Sequence, residues 1–576
     1  MQRSRRKRVF MLIVALCTAL LSTSTPGRVS AQGTATSLAA TLSPTQEIPA
    51  VETPSAAGGS ATVTVSADQT EITYTLDLTG PFSAAPTAAH IHLAPPGEPG
   101  AILFFLCAAM PPPGVTAQAC PDVNGGSISG TLTAADLQAA APTFADAVAA
   151  LLAGNTYINV HTSLNLSGEI RGQVGPATLD AVISSAQEIP AVATPSSATG
   201  SATISLNAAQ DEITYAVDLV GPFTGAPAAA HIHLGAPGVA GDVIFFLCAT
   251  TPPQGVIAQA CPDAAGGSIS GTLAAGDIQL AGMTMAQAVD ALLSGRTYIN
   301  AHTADNMPGE ARGQVGLAKL AADLNSAQEV PAVTPPSTAT GAAMVTLNGS
   351  QTAIAYSVTL TGPFTGPPTA AHIHLGPRGE SGDVLLFLCA NMPPMGLTVQ
   401  MCPAADGSTI TGSLTEADIQ GAMLTMDDVV DALLSNGLYI NVHTVANPSG
   451  EIRGQIDPKP EGVSFTNQVQ LIYTNTCAFA GCHAGPTPAA NMNLEAGMAY
   501  MNLVGQPSTQ TLSDGVTRLN RVEPGAPEMS YLFKKHRGDE DISGQRMPQN
   551  NPGFFDVRTD LLEIERRWIL EGAPDN

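Results

Sequence analysis

Ala88-Ala89-His90-Ile91-His92-Leu93 occurs three times in the chain, returning at Ala229 to Leu234 and at Ala370 to Leu375. Its first histidines, His90, His231 and His372, are 141 residues apart at each step. Other landmarks keep the same step. Gln46-Glu47-Ile48-Pro49 recurs at Gln187 and Gln328, Tyr157-Ile158-Asn159-Val160-His161-Thr162 recurs around His302 and His443, and Gly168-Glu169-Ile170-Arg171-Gly172-Gln173 recurs at Gly309 and Gly450. So regular a period means tandem copies of one domain. A unit of that length can bury its own core, so the copies are expected to be beads rather than turns of a solenoid.

Within one copy the hydrophobic pattern is mostly that of strands. Val63 and Val65 share one face of an alternating stretch, and after the turn Ala67-Asp68-Gln69-Thr70 the alternation resumes with Ile72, Tyr74, Leu76 and Leu78. This is a hairpin with one buried face. Thr133-Ala134-Ala135-Asp136-Leu137 reads as a helix start, with Val148, Leu151 and Leu152 continuing at helical spacing. Strands resume at Tyr157 to His161 and Ile170 to Val174. The expected class is mainly β: three tandem antiparallel β-sandwich or partly closed barrel domains, then a small, mostly α domain. The expected boundaries are 35–176, 177–317, 318–457 and 463–576.

Composition fits this reading. Of 576 residues only 12% are charged, with a formal net charge of −25. No basic patch stands out beyond the N-terminus, which argues against nucleic-acid binding. Residues 1–31 read as a secretory signal: Arg3, Arg5, Arg6, Lys7 and Arg8 precede a short apolar run from Val9 to Leu21, and Val29-Ser30-Ala31 offers a small-x-small cleavage site. Leu16 before Cys17 argues against a lipoprotein anchor. No later stretch approaches the roughly 18 apolar residues of a membrane span. An exported, periplasmic or extracellular chain is expected.

Six cysteines fall in the copies as Cys107 and Cys120, Cys248 and Cys261, and Cys389 and Cys402. Each pair is 13 residues apart across a Pro-containing loop. Local disulfides are the simplest account in an oxidising compartment, each stabilising its domain by roughly 3 kcal/mol; a metal site is the alternative.

The Gln-Glu-Ile/Val-Pro start, the Ala-Ala-His-Ile-His motif, the Tyr-Ile-Asn-Val/Ala-His-Thr strand and the Gly-Glu-Ile/Ala-Arg-Gly-Gln end resemble the CHRD domain, named after chordin. The resemblance covers roughly residues 35–457 and implies a secreted β domain. It does not define a biochemical role.

Each copy contributes three histidines: His90, His92 and His161; His231, His233 and His302; His372, His374 and His443. Alternate residues of a strand share a face, so a His-x-His pair with a histidine from another strand can form a three-nitrogen site suited to copper or zinc. The pattern is similar to the copper ligands of copper–zinc superoxide dismutase, but without its bridging histidine or zinc-loop ligands. The alternative is that the rings bond backbone carbonyls and pin a loop. Glu169 and Arg171, two apart on a strand, are expected to pair laterally. No serine elbow or phosphate-cradling loop accompanies them.

Composition changes around Asp457-Pro458-Lys459-Pro460-Glu461-Gly462, a linker signal. Beyond it Phe465, Val469 and Ile472 share a helical face, as do Leu561, Ile564 and Trp568, the last helix closing at Gly572. Between them lies Cys477-Ala478-Phe479-Ala480-Gly481-Cys482-His483. Covalent haem c is held by two cysteine thioethers with the next histidine as axial ligand, most often as Cys-x-x-Cys-His; here four residues separate the cysteines. Gly481-Cys482-His483, Arg546-Met547-Pro548 and Trp568-Ile569-Leu570-Glu571-Gly572-Ala573 resemble a bacterial cytochrome c-like domain of the planctomycete type. The resemblance implies Cys477 and Cys482 as attachment sites, His483 as proximal ligand and Met547 as distal ligand, with His536 competing. Met492, Met498, Met501 and Met529 are read as packing residues, and a plain Cys477–Cys482 disulfide is the alternative. Three functions are open: an electron-transfer protein with an unidentified redox partner, a cell-surface structural or adhesive protein, and a copper-dependent redox protein.

Overall fold

A computed structural model describes residues 34–570 and 573, apart from 52–54, 139, 190–191, 193–195, 404–407, 422–423, 459–464, 466–468, 525, 540, 550 and 558. The expected signal at 1–31, residues 459–462 of the expected linker, and Gly572 lie outside the described residues. Among the described residues, no helix is long and apolar enough to cross a membrane.

The first repeat contains strands β1 (Thr36–Leu42), β2 (Gly58–Val65), β3 (Ile72–Thr79), β4 (Pro86–Leu93), β5 (Ala101–Ala108), β6 (Gly125–Leu132), β7 (Thr156–Thr162) and β8 (Ile170–Gln173). They form two antiparallel sheets in the orders β1-β2-β3-β6 and β5-β4-β7-β8. In the second and third repeats the equivalents of β8 and β1 also pair, which joins the two halves into one sheet. The expected hairpin is β2–β3, with Val63 opposite Tyr74 and burial alternating strictly along β3. Alternation places every second residue in the core, because successive side chains point to opposite faces.

The helix starts later than its sequence suggests. Thr133 and Asp136 close a turn, in which the Asp136 carboxylate accepts from the Thr133 backbone and hydroxyl. Helix α1 (Phe144–Leu152) then begins at Thr143, whose hydroxyl caps the Asp146 amide. The Thr-x-x-Asp pattern occurs at both places, and only the second precedes an apolar stripe, Val148 and Leu151, that the core can bury. The three disulfides form as expected, Cys107–Cys120, Cys248–Cys261 and Cys389–Cys402.

Each repeat has its own hydrophobic cluster, yet the repeats are not loose beads. Asp290, on the helix of the second repeat, accepts from Ser43 Oγ at 2.5 Å, Thr45 Oγ1 at 3.1 Å and Gln46 Nε2 at 3.0 Å in the first. Asp431 accepts from Ser184 and Gln187 in the same way one step later. The position one period before Asp290 is Ala149, in the first repeat. Gln210 and Gln351, at the hairpin tips of the second and third repeats, donate to main-chain carbonyls of the repeat before, whereas Gln69 in the first is exposed. Hydrophobicity scans do not register such polar docking. Asp457 and Pro458 add a short strand to the third repeat by pairing with Ala321 and Leu320.

The C-terminal region is helical as expected, with helices Gln470–Thr476, Tyr531–Arg537 and Thr559–Leu570. Phe465, Val469, Ile472 and Trp568 are buried in one cluster.

Candidate functional sites

In each repeat the three histidines meet on the sheet face opposite the core. Ile91 of β4 points inward and is fully buried, so His90 and His92 on either side of it point outward together. β7 runs antiparallel to β4 with Ala88 opposite His161, Asn159 opposite His90 and Tyr157 opposite His92. His161 therefore stands next to His90, at 4.9 Å between ring centroids. The ligand-capable nitrogens of each triad lie within 4.8 Å of one another.

Most of these rings are oriented by backbone carbonyls. His92 Nδ1 donates to Gly100 O at 2.9 Å and His161 Nδ1 to Leu166 O at 3.0 Å. The same bonds recur from His233 to Gly241, His302 to Met307, His374 to Gly382 and His443 to Pro448. So the rings do bond carbonyls, but only through Nδ1, and the Nε2 atoms of His92 and His161 are buried with no hydrogen-bond partner. Burial, with a smaller effect from the neighbouring rings, lowers the His90 pKa to about 3, and burial likewise takes His92 to about 4. The imidazoles are neutral and carry lone pairs.

Behind the triad stands a column. The His92 ring stacks on Tyr157 at 4.8 Å, and the Arg171 guanidinium covers the other face of that phenol at 3.5 Å. The same column is built by Arg312 and Tyr298 and by Arg453 and Tyr439. The expected lateral pairing of Glu169 with Arg171 does not form. Glu169 instead accepts from the Ser83 amide at 2.6 Å, Thr162 Oγ1 at 2.7 Å and Asn165 Nδ2 at 3.1 Å, pinning two loops. Arg171 stacks on Tyr157 and donates to Glu98 O at 2.8 Å, the Glu169 oxygens being already taken by Ser83, Thr162 and Asn165. Glu47, near Arg171, is buried. Burial pushes its pKa up to about 8 although Arg171 opposes the shift, and Glu188 and Glu329 follow at about 8 and 7. Gly168 is required here: its φ is +134°, and a Cβ would lie 2.2 Å from Asn159 Oδ1 and 2.6 Å from Glu47 Oε1.

In the C-terminal domain a cavity of about 340 Å³ is lined by Cys477, Cys482, His483, Met492, His536 and Met547. Cys477 is buried and Cys482 exposed, and both thiols are free, so the alternative of a disulfide between them does not form. His483 Nδ1 donates to Met492 O at 3.1 Å. Burial lowers the His483 pKa, keeping the ring neutral. His536 is fully buried, stacks on Phe555 at 4.5 Å and contacts Glu565 Oε2 through Nδ1 at 2.7 Å, while Tyr473 donates to the other oxygen of Glu565 at 2.8 Å. Burial alone would lower the His536 pKa, but Glu565 outweighs burial and raises it. Of the methionines read as packing residues only Met492 is buried; Met498, Met501 and Met529 are 44%, 64% and 53% exposed.

The family model described as the CHRD domain matches residues 38–174, 179–315 and 320–456. The chain belongs to the CHRD domain family. No curated protein matches the chain. Each CHRD repeat thus carries one triad, one Arg–Tyr–His column and one disulfide. Sequence reasoning found the triads and missed the columns, although Tyr157 and Arg171 both lie in repeated landmarks. Their partnership crosses between β7 and β8, where Tyr157 pairs with Gln173 rather than Arg171, so no simple spacing shows it. It also missed Glu565 and Tyr473, the buried partners that fix His536.

Proposed function

We propose that the chain is an exported electron-transfer protein in which a haem domain over residues 463–576 is carried on three CHRD modules over 35–176, 177–317 and 318–457. The observation that supports this best is the convergence of two unpaired cysteines, His483 and Met547 on one cavity. Its volume falls within the roughly 300–1,000 Å³ of cofactor pockets. The donor set fits covalent haem c. Cys477 and Cys482 would form the thioethers. His483, with Nδ1 already bonded to Met492 O, offers only Nε2 to a metal, the orientation that a carbonyl imposes on a ligand histidine. Met547 would be the second axial ligand, and a haem so held supplies reversible one-electron chemistry at a raised potential. His536 is the competing ligand: its Nδ1 is taken by Glu565 and its Nε2 is buried with no hydrogen-bond partner, so the axial-ligand spectra decide between it and Met547. Arg521 and Lys535 also line the cavity and bring two cations to it, suited to carboxylate groups.

The test is periplasmic expression together with the haem-attachment machinery, followed by intact mass and visible spectra. A mass increase of one haem is expected. Met547→Ala is expected to change the axial-ligand spectrum, and His536→Ala to leave it unchanged. A bare-polypeptide mass overturns the reading, and the reverse pattern of spectra moves the distal ligand to His536.

A further inference from the structure

The triads carry chemistry that a haem in the last domain does not use. In the second CHRD repeat the Nδ1 atoms of His233 and His302 are each 2.9 Å from a backbone carbonyl oxygen. A carbonyl only accepts, so each Nδ1 carries the hydrogen and each Nε2 of the neutral ring carries a lone pair. Those two Nε2 atoms nevertheless face each other at 3.4 Å. Two lone pairs at that separation repel unless a cation lies between them. The third ring, His231, has both nitrogens buried and no hydrogen-bond partner for either. The first repeat repeats the pattern: both nitrogens of His90, and Nε2 of His92 and of His161, are buried and unpartnered. In the third repeat His443 Nε2 is 3.1 Å from His372 Nδ1, and His374 Nε2 is buried and unpartnered.

Buried polar atoms are almost always satisfied, so the same orphans in successive copies need an occupant. The spacing says what kind. Nitrogens bound tetrahedrally at 2.0–2.1 Å lie about 3.3 Å from one another, and the separations here are 3.1 and 3.4 Å. The carbonyls on Nδ1 fix tautomer and ring angle, as second-shell partners of metal-bound histidines do. We propose that each CHRD repeat binds one copper ion through three imidazole nitrogens, giving three ions per chain.

Calcium and magnesium are poor candidates because they require oxygen donors. Imidazole suits both copper and zinc, and the affinity order for divalent ions favours copper. The electrostatics point the same way. The triads include no carboxylate or thiolate to offset a dication, and Arg171, Arg312 and Arg453 fix a positive charge behind each site, one phenol ring away. A singly charged cuprous ion costs less there than Zn²⁺. His161, His302 and His443 are half-buried, so the remaining coordination position is within reach of solvent.

The test uses the full chain, stripped with a chelator, loaded anaerobically with cuprous copper alone and passed through gel filtration. Elemental analysis is expected to give three copper ions per chain, two in His302→Gln, and none in the variant with His161→Gln, His302→Gln and His443→Gln. Less than one copper in the wild type, or three in the triple variant, overturns the proposal. X-ray absorption of the copper-loaded wild type is independent of whether the variants fold: a first shell of nitrogen alone is expected, and sulfur in it overturns the assignment. Every chain in the test, the one with wild-type triads included, also carries Cys477→Ser with Cys482→Ser, because free thiols would themselves take cuprous copper, so the outcome does not depend on the haem reading.

Discussion

The CHRD repeats and the C-terminal domain solve the problem of a core differently. A repeat closes on itself: its sheets bury an alternating set of aliphatic side chains, a disulfide ties the loop after β5, and its histidines sit outside that core. The C-terminal domain has short helices around an open cavity whose walls include two free thiols, a histidine and a methionine. Stability therefore resides in different places in the two regions. Removing any ligand of a triad leaves the repeat's core intact, whereas the helices of the last domain pack around a cavity that the proposed haem would fill. Short helices are marginal by themselves and depend on tertiary packing.

The largest effect expected from this contrast is in Cys477→Ser with Cys482→Ser. Loss of a tightly held cofactor removes at least about 4 kcal/mol of linkage stabilisation. Calorimetry is expected to show the C-terminal transition collapse while the repeat transitions stay in place; a global shift would erase the distinction between the regions. Next comes Cys248→Ala with Cys261→Ala, which should cost the second repeat about 3 kcal/mol and leave the visible spectrum unchanged.

Asp290→Ala sharpens the comparison inside the repeats. It removes a carboxylate that accepts from three side chains of the first repeat and pairs with Arg296 at 2.6 Å. Hydrogen bonds to a charged group contribute about 1.5–3 kcal/mol each net, so the first two repeats are expected to unfold separately rather than together. Ala149→Asp, at the same position of the first repeat, is expected to change nothing. Limited proteolysis between Gln173 and Ala177 reads both.

The smallest effect is one of pH. Glu47, Glu188 and Glu329 are held protonated, with pKa values raised to about 8, 8 and 7. The native state therefore binds more protons than the unfolded one, and stability is lost as pH rises through the folded values. At pH 6.5, the usual histidine value, an unfolded ring is still half protonated while the folded triad rings are neutral, so the histidines drop out only about a unit higher. Repeat stability is thus expected to fall between about pH 7.5 and 9, and to become flat in the variant carrying Glu→Gln at all three positions. The C-terminal transition should not share that slope.

The repeats were legible in the sequence because a period of 141 residues and a strand alternation such as Ile72 to Leu78 each have one physical meaning, and a His-x-His pair on a strand shares one face. The start of α1 was not, since Thr133 and Thr143 both cap, and only burial of Val148 and Leu151 chooses between them. Nor was the fate of Glu169 and Arg171. Two residues on one face of a strand can pair, and the choice fell to Ser83, 86 residues from Glu169, and to Thr162 and Tyr157 on the neighbouring strand β7. In the last domain the motif named the cavity-lining residues, but the Tyr473–Glu565–His536 chain depends on three helices meeting.

The account rests most heavily on a haem held by the chain itself. The direct measurement is absorbance in the haem region during reversed-phase chromatography of the protein, fully unfolded, after periplasmic maturation. Haem absorbance co-eluting with the wild-type polypeptide, and lost from it in Cys477→Ser with Cys482→Ser, is the predicted result. A colourless polypeptide peak, with any pigment eluting apart from it, would contradict the account.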